Sequence, residues 1–246
     1  LAEPQENVRL IFHASPYGGN GHAHADQNSF HVIAYNEHLL LDSGYYTPTG
    51  DPHRQEWYVQ TKAHSTLLVD GTGQTWGGTT GYAQVSHFEQ HPDWVYFVGD
   101  AAPAYKEARL DRFDRHVVWL RGAAVQTYVI FDDAVAAGGT ERRFDWLLHA
   151  ANRMDIDPAV NRVHVKGERR EARLSFLAPA GLTYAQRTGF DVPAIYWRKG
   201  KKEPLPDQWH LKVTPPSARS ARFVTVLQVS KRDAAKPAVR AIPGGA

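Results

Sequence analysis

The 246-residue chain contains no cysteine, which excludes disulfides, thiolate nucleophiles and cysteine-ligated zinc together. A domain of this size needs no covalent staples, so the absence fits an oxidising or a reducing compartment. It has one methionine, Met154, and begins at Leu1; we therefore expect a processed chain or a piece of a longer one, with no signal peptide left to read. Long apolar runs are missing. The best, residues 39–41 and 117–120, have the length of strands, so no membrane span is expected. A dominant charge is missing too: 28 lysines and arginines against 26 acids leave +2, without the basic field of a nucleic-acid-binding protein. No window holds a helical stripe over three or four turns. Nucleophile elbow, phosphate loop, dinucleotide fingerprint and zincin pattern are all absent.

What is there reads as strand. Hydrophobic residues make up 42% and charged residues 22%, enough apolar surface for a sizeable core. Short, partly alternating segments fall at residues 8–12, 29–34, 38–41, 65–69, 94–98, 113–120, 125–131, 143–148, 162–165, 173–177, 209–214 and 221–229. Turn residues separate them, as in Tyr35-Asn36-Glu37, Asp70-Gly71-Thr72-Gly73 and Ala137-Gly138-Gly139. This many strands predicts an all-β protein, a large antiparallel sandwich of two sheets. Residues 134–139 form a weak boundary, but the strands on both sides are alike, so a single domain is expected. Residues 198–204 read as a charged, solvated loop and the last six residues as a frayed tail.

The chemistry concentrates after a glycine-rich turn, Gly18-Gly19-Asn20-Gly21, which leads into His22-Ala23-His24-Ala25-Asp26-Gln27-Asn28. In extended chain His22 and His24 leave on one face, sharing one ion or dividing the roles of ligand and substrate contact. Asp42 ends the apolar run 39–41, where an unpartnered carboxylate is expensive to bury; capping a turn is its other use. His64 directly precedes the strand at 65–69. Two imidazoles and one carboxylate are an ordinary donor set for zinc or another divalent cation. Asp26, Gln27 and Asn28 are candidate outer partners that hold an imidazole in one tautomer. Tyr45, Tyr46, Trp57 and Trp76 are candidates for the wall of a sugar site. His149 shares a strand face with Asp145 and Leu147, opposite Phe144, Trp146 and Leu148, and is a further site candidate. His31, His38, His53, His87, His91, His116, His164 and His210 are assigned to structure or solvent.

Three blocks, residues 21–30, 40–45 and 63–71, resemble in order and spacing the β-sandwich domain of the heparinase II/III-like polysaccharide lyases. The likeness is strong over residues 18–73, and residues 144–149 are similar to a later strand of that family. The resemblance implies that residues 1–246 are one sandwich domain, the C-terminal part of a longer enzyme whose N-terminal α/α-toroid is absent here. It implies His22 as the catalytic histidine and His24, Asp42 and His64 as ligands of Zn2+ or another divalent cation that organises the site. The family pattern has asparagine after the last histidine, where this chain has Ser65. Arg54, close to the aromatic cluster, is a candidate to neutralise a substrate carboxylate, and His149 joins His22 and Arg54 as a candidate catalytic residue.

The expected function is then β-elimination on an acidic glycan, alginate or a glycosaminoglycan, in the periplasm or outside the cell. Expected partners are that glycan, the toroid domain in cis or as a separate chain, and a second copy of this one. Two alternatives stand beside it. A binding or structural sandwich would use the metal as a staple and the aromatics as a carbohydrate platform. A cupin-type metal oxygenase also begins with a double histidine, but its following glutamate has no counterpart here, since Asp26 comes too soon and Glu37 late.

Overall fold

The computed structural model describes residues 7–16, 22–43, 50–77, 81–198 and 201–241. The glycines at 18–21, Tyr45, Tyr46 and residues 242–246 lie outside them. In chain order the strands are β1 (Val8–His13), β2 (Ser29–Ala34), β3 (Glu37–Leu40), β4 (Leu67–Val69), β5 (Gln84–Gln90), β6 (Trp94–Asp100), β7 (Leu110–Leu120), β8 (Val125–Ala136) and β9 (Phe144–Ala150). They continue with β10 (Met154–Asp157), β11 (Arg162–Lys166), β12 (Arg170–Ala178), β13 (Thr183–Thr188), β14 (Ile195–Arg198), β15 (Lys201–Pro204), β16 (Trp209–Thr214) and β17 (Ser220–Lys231).

Two antiparallel sheets form a sandwich. The first runs β1-β2-β3-β9-β16-β13, with β4 paired beside β3 on β9; the second runs β10-β11-β12-β17-β8-β7-β6-β5. Between them lies one continuous core, because alternate residues of both sheets are apolar. Phe30, Val32, Trp146, Leu148, Leu211 and Val213 face Phe113, Ile130, Leu174, Phe223 and Leu227 within it. Each fully buried phenylalanine is worth about 1.5–3 kcal/mol. Residues 137–139 lie where the chain passes between the two sheets. They form a tight turn, with Gly138 at φ 66°, that carries the chain from β8 in one sheet to β9 in the other.

Every predicted strand is present. The expected charged loop at 198–204 instead holds the end of β14 and all of β15, which pair antiparallel with Arg198 opposite Lys201. β5 and β13 escaped the sequence pattern because their residues are largely polar, and β10 because it is only four residues long. β5 is exposed along its whole length, so no apolar alternation marks it.

A buried ion pair crosses this apolar interior. Arg115 on β7 meets Asp132 on β8 through Nε at 2.6 Å and Nη2 at 3.1 Å. Both side chains are inaccessible to solvent, and Trp146 Nε1 donates to the same carboxylate at 2.7 Å.

Candidate functional site

Strand β9 explains why Asp42 and His64 meet, although 22 residues separate them. Leu40 pairs with Ala150, and Leu41 N–H donates to the His149 carbonyl at 2.9 Å. Beside it, Leu67, Leu68 and Val69 pair with Trp146, Asp145 and Phe144. Two segments hydrogen-bonded to one strand deliver the carboxylate and the imidazole to the same place.

The histidine loop comes from the other direction and is held by buried polar groups. Ala25 N–H donates to the Val59 carbonyl at 2.8 Å. Gln74 and Gln27 exchange two bonds, Gln27 N–H to Gln74 Oε1 and Gln74 Nε2 to the Gln27 carbonyl, each 2.8 Å. Asn28 adopts a left-handed φ of 56°, which asparagine tolerates better than most residues. Its side-chain amide donates to the Gly99 carbonyl at 2.8 Å. Gly99 is required there, because a Cβ would collide with Asn28 Oδ1 and the Phe12 ring. Arg115 Nη1 ties the two halves of the site together, donating to the Asn28 carbonyl at 2.5 Å and the Ser65 carbonyl at 2.8 Å.

The result is a compact cluster. The His24 and His64 rings stand 5.1 Å apart, and ligand atoms of His24, Asp26 and His64 all lie within 4.8 Å of one another. His64 Nδ1 donates to Asp42 Oδ1 at 2.6 Å and Nε2 to the Tyr58 carbonyl at 2.8 Å. Since both partners accept, the ring carries both protons. Burial alone would lower its pKa, but the Asp42 charge and hydrogen bond raise it to about 9. Burial opposes ionisation of Asp42 as well, and its attraction to His64 outweighs that and holds its pKa below the usual value. His24 goes the other way: burial, then the neighbouring His64, lowers it to about 4, so at neutral pH it offers an unprotonated nitrogen. Two imidazoles and carboxylate oxygens in this space fit a divalent cation such as zinc, which would replace one of the His64 ring protons.

The structure thus brings His24 and His64 together with Asp26, and Asp42 joins them through its contact with His64. Asp26 was expected as an outer partner of the loop histidines; it instead accepts from His13 Nδ1 on β1 at 2.7 Å. That hydrogen bond raises the His13 pKa against the lowering effect of burial. Nothing local in the sequence singles out His13, since only the β1–β2 pairing places it opposite Ser29. His22 is solvent-exposed at the start of the described loop.

Other candidates are buried. Arg54 is only 5% exposed, with its guanidinium 5.6 Å from the centre of the Trp76 ring. Trp76 Nε1 in turn donates to the Ala23 carbonyl, between the two loop histidines, at 3.1 Å. Arg54 therefore backs the histidine loop. Trp57 is 1% exposed and donates to Ser43 Oγ at 3.1 Å, so its faces are not an open sugar platform. His149 is also buried, its Nδ1 2.7 Å from Nδ1 of His210, and its backbone N–H donates to Ser65 Oγ at 3.3 Å, beside His64. His210 had been assigned to structure or solvent; its pairing with His149 follows from the register of β16 on β9.

A family model described as heparinase II/III-like, C-terminal, matches residues 2–236. Among solved structures, heparan sulfate lyase HepC from Pedobacter heparinus superposes with a TM-score of 0.71 at 18% identity, over 93% of this chain and 34% of that one. A heparinase III structure gives 0.73 at 16% identity, over 93% of this chain and 33% of that one. The chain therefore spans about a third of the length of the structures it matches, and at these identities the likeness is one of fold. Among curated protein sequences none matches it significantly.

Proposed function

The chain belongs to the heparinase II/III-like family, as its C-terminal domain, and from that premise we propose that it is the β-sandwich part of a polysaccharide lyase. The substrate is an acidic, uronate-containing glycan, a glycosaminoglycan or alginate, and the reaction is β-elimination. The observation that carries this reading is an exposed His22 two residues from a cluster of buried His64 and Asp26 with half-buried His24 and Asp42, in a chain matched by the family model almost end to end.

Elimination removes the proton beside the uronate carboxylate, forms a carbon–carbon double bond, and expels the glycosidic oxygen, which takes up a proton. The enzyme must stabilise charge on the carboxylate and supply a base and an acid. His22, exposed at the loop, is the candidate proton acceptor or charge-neutralising donor. His24 and His64, with Asp42 and Asp26, would hold a divalent cation, whose contribution is a fixed positive charge that braces the loop behind His22. Gln74, Asn28 and Arg115 hold that loop from the core side. The remaining catalytic groups belong to the part of the enzyme outside this chain, and a polymeric substrate puts the enzyme in the periplasm or outside the cell.

The test compares full-length protein, this chain alone, and full-length His22→Ala on heparan sulfate, chondroitin sulfate and alginate, following release of unsaturated uronate. Full-length protein should release it from at least one polymer, and His22→Ala should lose about 100-fold or more, the usual contribution of a general acid or base. Absence of unsaturated ends with every polymer would overturn the lyase reading and leave a binding module.

A further inference from the structure

Strand β5 is the last strand of the second sheet and pairs on one side only, with β6. Outer strands carry free backbone groups that invite another chain, and proteins blunt them with lysine, proline, inserted charge or short length. β10, at the opposite edge of the same sheet, is blunted: it has four residues, two of them Asp155 and Asp157. β5 has seven, Gln84–Gln90, with no lysine, arginine or proline, and every one is exposed. Among the described residues six large apolar side chains are exposed, and Tyr82, Val85 and Phe88 are three of them, Phe88 at 62%. This edge is apolar and open where its counterpart is closed.

Backbone direction decides which residues meet a partner strand. His91 N–H donates to the Trp94 carbonyl at 2.8 Å. By the alternation of an antiparallel ladder, Glu89 and His87 then turn their backbone groups to β6, and Phe88 and Gln90 turn theirs outward. A bulge between Val85 and His87 interrupts the ladder and leaves residues 87–90 regular. Two copies of β5, antiparallel about a two-fold axis at Phe88, meet this geometry. The two Phe88 residues exchange N–H···O bonds, and each His87 lies opposite the partner's Glu89. At such non-hydrogen-bonded positions the opposing Cα atoms stand about 4.5 Å apart, where opposite charges attract. A two-fold axis one residue earlier sets His87 against His87, with backbone groups already committed to β6, so it offers neither bonds nor matched charge.

We propose that β5 is a self-recognition edge, pairing with β5 of a second copy about a two-fold axis at Phe88 and continuing the eight-stranded sheet across a dimer. The occupant is a second copy because the edge is complementary to itself: phenylalanine meets phenylalanine, and each imidazole meets a carboxylate. Pairing uses up both free edges, so the assembly closes at two copies. One strand edge buries less than the roughly 1,200 Å² of stable interfaces, so the dimer is weak and depends on concentration. The inference stands independently of the lyase reading.

The test is sedimentation equilibrium of this chain and of full-length protein over a range of concentrations, and both should dimerise. Gln90→Pro removes an outward N–H and leaves the β5–β6 ladder whole. Glu89→Lys places a cation opposite each His87. Each variant should weaken the dimer about tenfold or more, since the two-fold axis counts every change twice. His87→Glu combined with Glu89→Lys exchanges the two charges and should return the dimer to within about threefold of wild type. That rescue reports the register, which a general loss of folding does not restore. Asp155→Asn, at the other edge of the sheet, is the control and should change nothing. A chain that stays monomeric, or a dimer indifferent to Gln90→Pro and Glu89→Lys, overturns the inference. Loss in Glu89→Lys without rescue by the exchange overturns the register at Phe88. Monomeric full-length protein with the β5 amides protected from hydrogen exchange overturns it as well, and gives the edge to the rest of the enzyme.

Discussion

Replacing Asp132 by asparagine removes one charge and almost no volume from the centre of the sandwich. In the native protein its two oxygens accept from Arg115 Nε at 2.6 Å, Arg115 Nη2 at 3.1 Å and Trp146 Nε1 at 2.7 Å. All of this lies out of contact with water. The asparagine amide turns an acceptor into a donor facing either the guanidinium or the indole, and leaves the Arg115 charge buried without a counter-ion. Breaking one partner of such a pair costs about 3–5 kcal/mol, which for a domain of this size lowers the melting temperature by roughly 6–20 °C. Urea unfolding followed by tryptophan fluorescence measures it directly. The double variant Arg115→Met with Asp132→Leu removes both charges and should be more stable than Asp132→Asn alone. It should still bind zinc more weakly than wild type, because the carbonyls of Asn28 and Ser65 lose the guanidinium that joins the two ligand-bearing segments. A loss below about 1 kcal/mol in Asp132→Asn, far under what breaking a buried pair costs, would refute the argument.

Acid should destabilise the fold through the buried histidines of β9 and β16. Burial, then His210, holds His149 well below its ordinary pKa, and burial, then Arg187, lowers His210 to about 4. Both bind protons more readily when unfolded, so stability falls as pH drops from about 6.5 towards 4, His210 contributing roughly 3 kcal/mol; a flat unfolding midpoint over that window would contradict this. Zinc at a hundred times its dissociation constant should stabilise the chain by about 2.7 kcal/mol against a chelator-treated sample, and His24→Ala should abolish the difference in a thermal melt. Gly99→Ala should destabilise by about 1–3 kcal/mol through overpacking against Asn28 and Phe12, and a neutral effect on the urea midpoint would show that the loop can yield.

Alternation of apolar residues along the chain was enough to establish an antiparallel two-sheet sandwich, since a strand with one buried face must alternate. The same pattern marked Phe144, Trp146 and Leu148 as core, and the spacing of His22 from His24 marked a chemically distinct loop. β5 and β13 were illegible because little of their surface is buried and nothing in composition distinguishes them from loop. What tertiary structure decided was distance. Asp42 and His64 meet because β3 and β4 both hydrogen-bond to β9, and Asp26 takes His13 as partner because β1 pairs with β2. Burial was decided there too: Arg54 and Trp57, polar and aromatic groups on a short helical turn, were turned inward by packing that no local pattern encodes. A chain's own periodicity reports which face of an element is apolar. Which elements share a neighbour, and so which side chains come within hydrogen-bonding reach, follows only from how the strands pair.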